Sequence, residues 1–215
     1  MQAIEQAISS LADEYAKLLS EKIAERVEEM RCDDKSHFLI YQVLGITDDE
    51  GELIDKYQNK GRFLYNYAGS FLERAAFVCF QHKYPLAKRI RIPNNQSTRP
   101  KTFGVDCLID DRAHEIKWRD ATTDGDHITK EHTRIMAINS QGYTPIRVMF
   151  YYPNREQAIQ IQRTLETLYK GIGGEYYFGD DAWSYLLEIT GVDLKQILVE
   201  IVAKRKEGKN VSVSG

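Results

Sequence analysis

The chain of 215 residues predicts a mixed α/β domain: a central β-sheet flanked by helices, with further helical elements at the N- and C-terminal ends. Three observations carry this expectation. Both ends hold long stretches whose apolar residues recur at helical spacing. In the middle, two short segments read as strands joined by a tight acidic turn. A third strand-like run, 146–151, stands alone between helical stretches, as it would in a layered α/β sheet.

Residues 2–30 read as a long amphipathic helix, because Ile4, Ile8, Leu11, Tyr15, Leu18, Leu19, Ile23, Val27 and Met30 recur three and four apart. That face suits either the chain's own core or a second copy. Residues 47–52, Thr-Asp-Asp-Glu-Gly-Glu, read as an acidic turn. Residues 62–82 read as a second helix with Phe63, Leu64, Tyr67, Phe71, Ala75, Val78 and Cys79 on its apolar face. Glu73 sits among them, where a carboxylate needs a partner or lies at the face's edge. The expected organisation is an N-terminal helical region, 1–61, and a core, 62–215, together forming one compact domain.

From Gln81 to Val105 there is no Asp or Glu, while Lys83, Lys88, Arg89, Arg91, Arg99 and Lys101 all fall in this stretch. It reads as an ordinary solvated loop or as a segment that contacts phosphates. Phe103–Asp110 then reads as a strand, Asp110-Asp111-Arg112 as a turn, and Ala113–Trp118 as the hairpin partner. A polar loop, 119–126, leads into a helix over 127–140 with Ile128, Ile135, Met136 and Ile138 apolar. Ile146–Tyr151 reads as a buried strand. Residues 154–170 and 181–206 read as helical, with Gly171, Gly173 and Gly174 ending the first and Gly191 dividing the second.

Composition excludes several classes. With 29 Lys and Arg against 32 Asp and Glu, the net charge is −3, so bulk positive charge cannot hold nucleic acid. An enzyme with basic residues gathered on one face remains open. Cys32, Cys79 and Cys107 form no CxxC pair, and their odd number without a signal peptide points to a reducing cytoplasm. No run approaches the roughly 18 apolar residues of a membrane span. The G-x-S-x-G and Walker patterns are absent. His127 and His132 are five apart rather than four, and His114-Glu115 lacks the second His of a zinc helix.

The hairpin holds the residues that can carry chemistry. Glu115 and Lys117 lie two apart on one strand and share a face, and Asp106 lies on the strand before. Two carboxylates brought this close repel each other unless a cation joins them, and Mg²⁺ prefers such hard oxygen ligands. Lys117 adds a positive charge that can stabilise charge building on a phosphate. The string acid-x-Lys occurs four times, but only Glu115-Ile116-Lys117 lies in an apolar strand preceded by an acidic one. A surface salt-bridged hairpin is the plain alternative.

Asp106 followed by Glu115-x-Lys117 resembles the PD-(D/E)XK nuclease superfamily, although Val105 stands where a Pro is expected. The resemblance implies a restriction-endonuclease-like core with Asp106 and Glu115 binding Mg²⁺ and the Ile116 carbonyl as a further ligand. It implies that Lys117 positions and activates a water, and that Glu73 is an added carboxylate from the preceding helix. The stretch from Glu115 to His127 is similar to type II restriction endonucleases, and the ApaLI-like group is the nearest match. A Mg²⁺-dependent, sequence-specific endonuclease on double-stranded DNA follows, as a C2 homodimer reading a palindrome. A structure-specific repair or junction nuclease of the same fold, or a non-catalytic DNA-binding protein, is the alternative.

For DNA, Lys88, Arg89, Arg91, Arg99 and Lys101 suit phosphates along the approach to the site. Arg119, Asp120, Thr122, Thr123, Asp124, Asp126 and His127 offer donors and acceptors to base edges. Asp124-Gly125 reads equally as a turn. Lys130 and Arg134 are four apart on one helical face, suited to phosphates or to solvent.

Overall fold

The computed structural model describes residues 2–97, 99–120, 122 and 124–213, with 208–213 described as backbone only. The chain divides into two compact units, Ser10–Phe71 and Met1–Ser9 with Leu72–Gly215. Two helices contribute to both: α1 (Gln2–Arg31) and α3 (Asp48–Lys83).

The smaller unit is helical. It holds most of α1, the short α2 (Phe38–Val43) and the first part of α3. Buried Phe38 stacks on Tyr41, and the Tyr41 hydroxyl donates to Asp55 at 2.9 Å. The expected acidic turn at 47–52 is instead the start of α3. The Thr47 backbone N–H donates to Glu50 Oε2 at 3.1 Å and the Glu50 N–H donates to Thr47 Oγ1 at 3.3 Å. This reciprocal capping box satisfies two end donors, and Asp48, Asp49 and Glu50 meet the positive end of the helix dipole. The same acidic residues that suggest a turn therefore open a helix.

The larger unit is built on a five-stranded mixed sheet in the order β1-β2-β3-β4-β5. The strands are β1 (Lys88–Pro93), β2 (Thr102–Ile109), β3 (Arg112–Arg119), β4 (Thr144–Tyr151) and β5 (Glu175–Phe178). β1, β2 and β3 form an antiparallel meander, and β3, β4 and β5 are parallel. The parallel joins require crossovers, supplied by α4 (Asp126–Ser140) and α5 (Glu156–Gly171). α6 (Asp180–Thr190) and α7 (Leu194–Val213) follow, divided at Gly191, whose φ of 72° caps α6 in the left-handed region. This is the flanked mixed sheet the sequence predicts. Two strands have no counterpart among the segments that read as strands: β1, within the basic segment, and the four-residue β5.

Apolar residues from β1, β2, β3 and α4 form one core, with Phe103, Val105, Leu108, Ala113 and Ile138 buried together. A second core joins Ile135, Met149, Ile161, Leu165, Tyr169 and Tyr176. Between them, α4 turns its stripe of His127, Glu131, Arg134, Ile135 and Ile138 inward, three and four residues apart. Among the described residues, no helix is long and apolar enough to cross a membrane.

Candidate active site

The site lies where the β2–β3 ladder stops. Paired residues run Ile109↔Arg112, Leu108↔Ala113 and Cys107↔His114, and go no further. One step on, Asp106 comes opposite Glu115, and the Asp106 carboxylate takes over from the backbone: Oδ2 accepts the Ile116 N–H at 2.9 Å. An irregularity in the β1–β2 pairing falls at the same place, between Lys88↔Leu108 and Ile90↔Val105. In an extended strand a residue's N–H and C=O leave toward the same edge. The Ile116 carbonyl is therefore directed to the edge where Asp106 stands.

Glu115 is buried, 4% exposed, in the middle of β3. Lys117 Nζ lies 2.5 Å from its Oε1, and Arg134 of α4 pairs with the same oxygen. Burial alone would push the Glu115 carboxyl up, but Lys117 and Arg134 override it and hold it below its usual range. Burial likewise pulls the Lys117 ammonium down, and Glu115 overrides that, leaving it above its ordinary value and charged at neutral pH. Asp106 behaves differently. Its burial first, then the negative charge of Glu115, push it up to about 7. Glu73, half-buried on α3, is also raised, by its own desolvation and by Glu115, with Lys117, Arg89 and Arg134 opposing. Glu73, Asp106, Glu115 and Lys117 thus form one electrostatic cluster.

Around this cluster runs a buried ion-pair network. Arg147, with no solvent exposure, stands on β4 in register with Glu115. Its Nη2 reaches Asp120 Oδ2 at 2.5 Å and its Nη1 reaches Glu131 Oε2 at 3.1 Å. Glu131 Oε1 lies 3.5 Å from Arg134 Nη1, and the Tyr169 hydroxyl donates to Glu131 Oε2 at 3.4 Å. His127 Nε2 lies 2.9 Å from Asp120 Oδ2. Asp120 and Arg134 are therefore held within the protein. Burial opposes the ionisation of Asp120, yet His127 and Arg147 hold it well below the usual carboxylate range.

The loop after β3 is a ladder of side-chain caps. Asp120 Oδ1 accepts the Thr122 N–H at 3.3 Å, Thr122 Oγ1 accepts the Asp124 N–H at 3.2 Å, and Asp124 Oδ1 accepts the Asp126 N–H at 3.0 Å. Asp124 and Asp126 are exposed, while Thr122 is half-buried. Thr123 lies outside the described residues. Arg119 donates to Asn154 Oδ1 at 3.1 Å. Lys130 is exposed, on the flank of the buried stripe of α4.

Lys88, Arg89 and Arg91 are exposed on edge strand β1, and Arg99 and Lys101 on the loop that follows. Arg89 also lies over the Phe77 ring at 5.3 Å. Asn94 organises that loop: its N–H bonds the Lys101 carbonyl at 3.0 Å, and its side chain accepts the N–H groups of Gln96 and Ser97. Among the described residues, no group of three or more His, Cys, Asp or Glu side chains is arranged to hold a metal ion. The oxygens that face one another are those of Asp106 and Glu115, with the Ile116 carbonyl directed to the same edge, while Glu73 acts on them through its charge.

Glu131 and Arg147 were not among the sequence-derived candidates. Arg147 carried a signal, because a single charge within Ile146–Tyr151 must find a buried partner.

A family model described as ApaLI-like restriction endonuclease matches residues 1–203. No curated protein and no solved structure matches the chain.

Proposed function

Because this chain belongs to the ApaLI-like restriction endonuclease family, we propose that it cuts double-stranded DNA at a specific sequence through a Mg²⁺-dependent centre of the PD-(D/E)XK type. The family makes it a type II restriction endonuclease, hence a nuclease with DNA as substrate. The finer reading rests on one observation: the interrupted ladder at which Asp106 accepts the Ile116 N–H beside the buried Glu115–Lys117 pair.

The residues present fit Mg²⁺. Asp106 Oδ1 takes part in no hydrogen bond among the described residues, the Ile116 carbonyl is directed to the same edge, and both ion pairs of Glu115 end on Oε1. All these donors are hard oxygens. Burial and mutual repulsion raise Asp106 and Glu73, as expected of carboxylates short of positive charge. When bound there, Mg²⁺ supplies Lewis acidity to the scissile phosphate and to the attacking water.

Lys117, protonated, donates to the water or to a phosphate oxygen and stabilises the charge that develops during in-line attack. It does not act as the base. Asp106 must surrender its proton for the centre to assemble. Glu73 adds a carboxylate at the rim. By resemblance, the products carry 5′-phosphate and 3′-hydroxyl ends. Lys88, Arg89, Arg91, Arg99 and Lys101 contact phosphates on the approach. Arg119, Thr122, Thr123, Asp124 and Asp126 supply base contacts, and Lys130 a phosphate contact. Asp120, His127 and Arg134 serve from within. The enzyme acts as a homodimer, with α1 and the C-terminal helices as the contact surfaces.

The test is incubation of plasmid with Mg²⁺. Discrete fragments are expected, with none in EDTA and none from Asp106→Ala or Lys117→Ala. Both variants should still shift DNA in a gel with Ca²⁺ present. Cleavage by Lys117→Ala at the wild-type rate would sink this reading.

A further inference from the structure

The chain of ion pairs around the site has two ends of different character. One is Glu115, in the catalytic cluster. The other is Asp120, the first residue of the loop after β3. Between them the contacts are continuous: Asp120 to Arg147 at 2.5 Å, Arg147 to Glu131 at 3.1 Å, Glu131 to Arg134 at 3.5 Å, and Arg134 to Glu115. We infer that Asp120 is a positioning residue, through which the loop's engagement with DNA sets the placement of Glu115 by way of Arg147, Glu131 and Arg134. The inference rests on the reading of Glu115 as part of a nuclease centre.

Three observations support it. First, the middle link is stiff. Arg147 is fully buried, and its two ends are held by different carboxylates, so its fork cannot satisfy one partner after losing the other without leaving a buried charge unpaired. Second, Asp120 is the anchor of its loop rather than a passive neighbour. Its Oδ1 caps Thr122, which caps Asp124, which caps Asp126, while its Oδ2 takes both Arg147 and His127. Its backbone carbonyl accepts from Gln162 Nε2 at 3.5 Å, and Gln162 is in turn held by the Tyr176 hydroxyl at 2.7 Å. A displacement of the exposed Asp124–Asp126 end is therefore referred to Asp120. Third, the far end meets Glu115 on Oε1, the oxygen that Lys117 also uses. Arg134 and Lys117 thus draw the same oxygen by charge and leave Oε2 to the site.

Spatial continuity alone does not establish coupling; a perturbation at one end must be read at the other. The variants are Asp120→Asn, which keeps shape and loses charge, Arg134→Lys, which keeps charge and loses the fork, and the double variant. Two quantities are read: single-turnover cleavage of a plasmid at saturating enzyme with Mg²⁺, and the affinity for Mn²⁺ titrated calorimetrically in the absence of DNA. Asp120→Asn should lower both by about tenfold or more, as residues that orient metal ligands do. Its affinity for the same plasmid with Ca²⁺ and its pattern of fragments should not change. The double variant should be no worse than the poorer single variant.

If the losses of the two single variants multiply in the double, or if Asp120→Asn instead weakens DNA affinity or alters the fragments cut, the coupling is refuted and Asp120 is a DNA contact or a local brace. If the wild type yields no fragments with Mg²⁺, the nuclease centre itself fails, and the inference built on it falls too. Wild-type cleavage with unchanged cleavage and Mn²⁺ affinity in Asp120→Asn removes the inference alone.

Discussion

Replacing Asp106 by Asn should make the metal-free protein more stable while abolishing cleavage. Asp106 is buried enough, and close enough to Glu115, to be pushed up to about 7 from 3.8. In the folded protein it therefore keeps a proton that the unfolded chain releases above about pH 4. Such a group opposes folding as pH rises. Its cost is nearly absent below its usual value, grows through the acid range and levels off above about pH 7. The full displacement corresponds to about 4 kcal/mol. Because Asp106 keeps partial contact with solvent, about half of that, ~2 kcal/mol, is the expected size. Asn has no charge to desolvate, and its side-chain oxygen can still accept the Ile116 N–H. The measurement is urea unfolding in EDTA at pH 4 and pH 8, taken as the difference between variant and wild type so that other titrations cancel. The variant should match the wild type at pH 4 and exceed it by about 2 kcal/mol at pH 8, or about 4 to 8 °C in melting temperature. Added Mg²⁺ should then raise the stability of the wild type and leave the variant unchanged. Parallel stabilities across this range, or a variant weaker at pH 8, would show that the carboxylate cluster is not strained as described.

Two further outcomes concern the scaffold. Tyr185→Phe removes the hydroxyl that meets His114 Nε2 at 2.7 Å and Arg112 Nη2 at 3.2 Å. His114 is neutral, brought down to about 4 chiefly by burial, so urea unfolding should register a loss of about 1 to 3 kcal/mol for the stranded groups. In Gly174→Ala the new Cβ would stand 2.6 Å from the Pro145 carbonyl oxygen and 2.9 Å from that of Tyr169, both backbone. Thermal unfolding should show a loss of about 1 to 3 kcal/mol. Gly104→Ala, which meets nothing within 4 Å, should stay within about 0.5 kcal/mol and serves as the control.

The helices and the hairpin were legible in the sequence because their signals are local. Ile4 and Ile8 follow helical spacing and are buried as that spacing requires, and the alternation along 103–118 marks β2 and β3. What was not legible depends on distant partners. In β1, Lys88, Arg89 and Arg91 read as a solvated or phosphate-facing loop. Ile90 and Ile92 alternate with them and pack against residues of β2 and α4. An edge strand with one buried face has only those two apolar positions to announce it. β5 is four residues long, too short for any period to appear. The capping box at Thr47 and Glu50 is ambiguous in sequence because its residues are also turn formers, and only the continuing helix decides between the two.

The candidate site divides in the same way. Asp106, Glu115 and Lys117 could be found because strand periodicity fixes which side chains share a face. The inward turn of Arg134 could not be found from its spacing to Lys130, since the face is set by which side of α4 packs on the sheet. That same packing alters what the net charge of −3 means. Glu131 and Asp120 are matched by Arg134 and Arg147 inside the protein, so those two cations are not available to bulk DNA. The exposed cations of β1 and its following loop lie on a stretch without a single carboxylate from 81 to 105. On the proposed reading, that segment offers phosphate a local positive field on a chain whose net charge is negative. An acidic nuclease is consistent once its charges are sorted into those that hold the site and those that face the substrate.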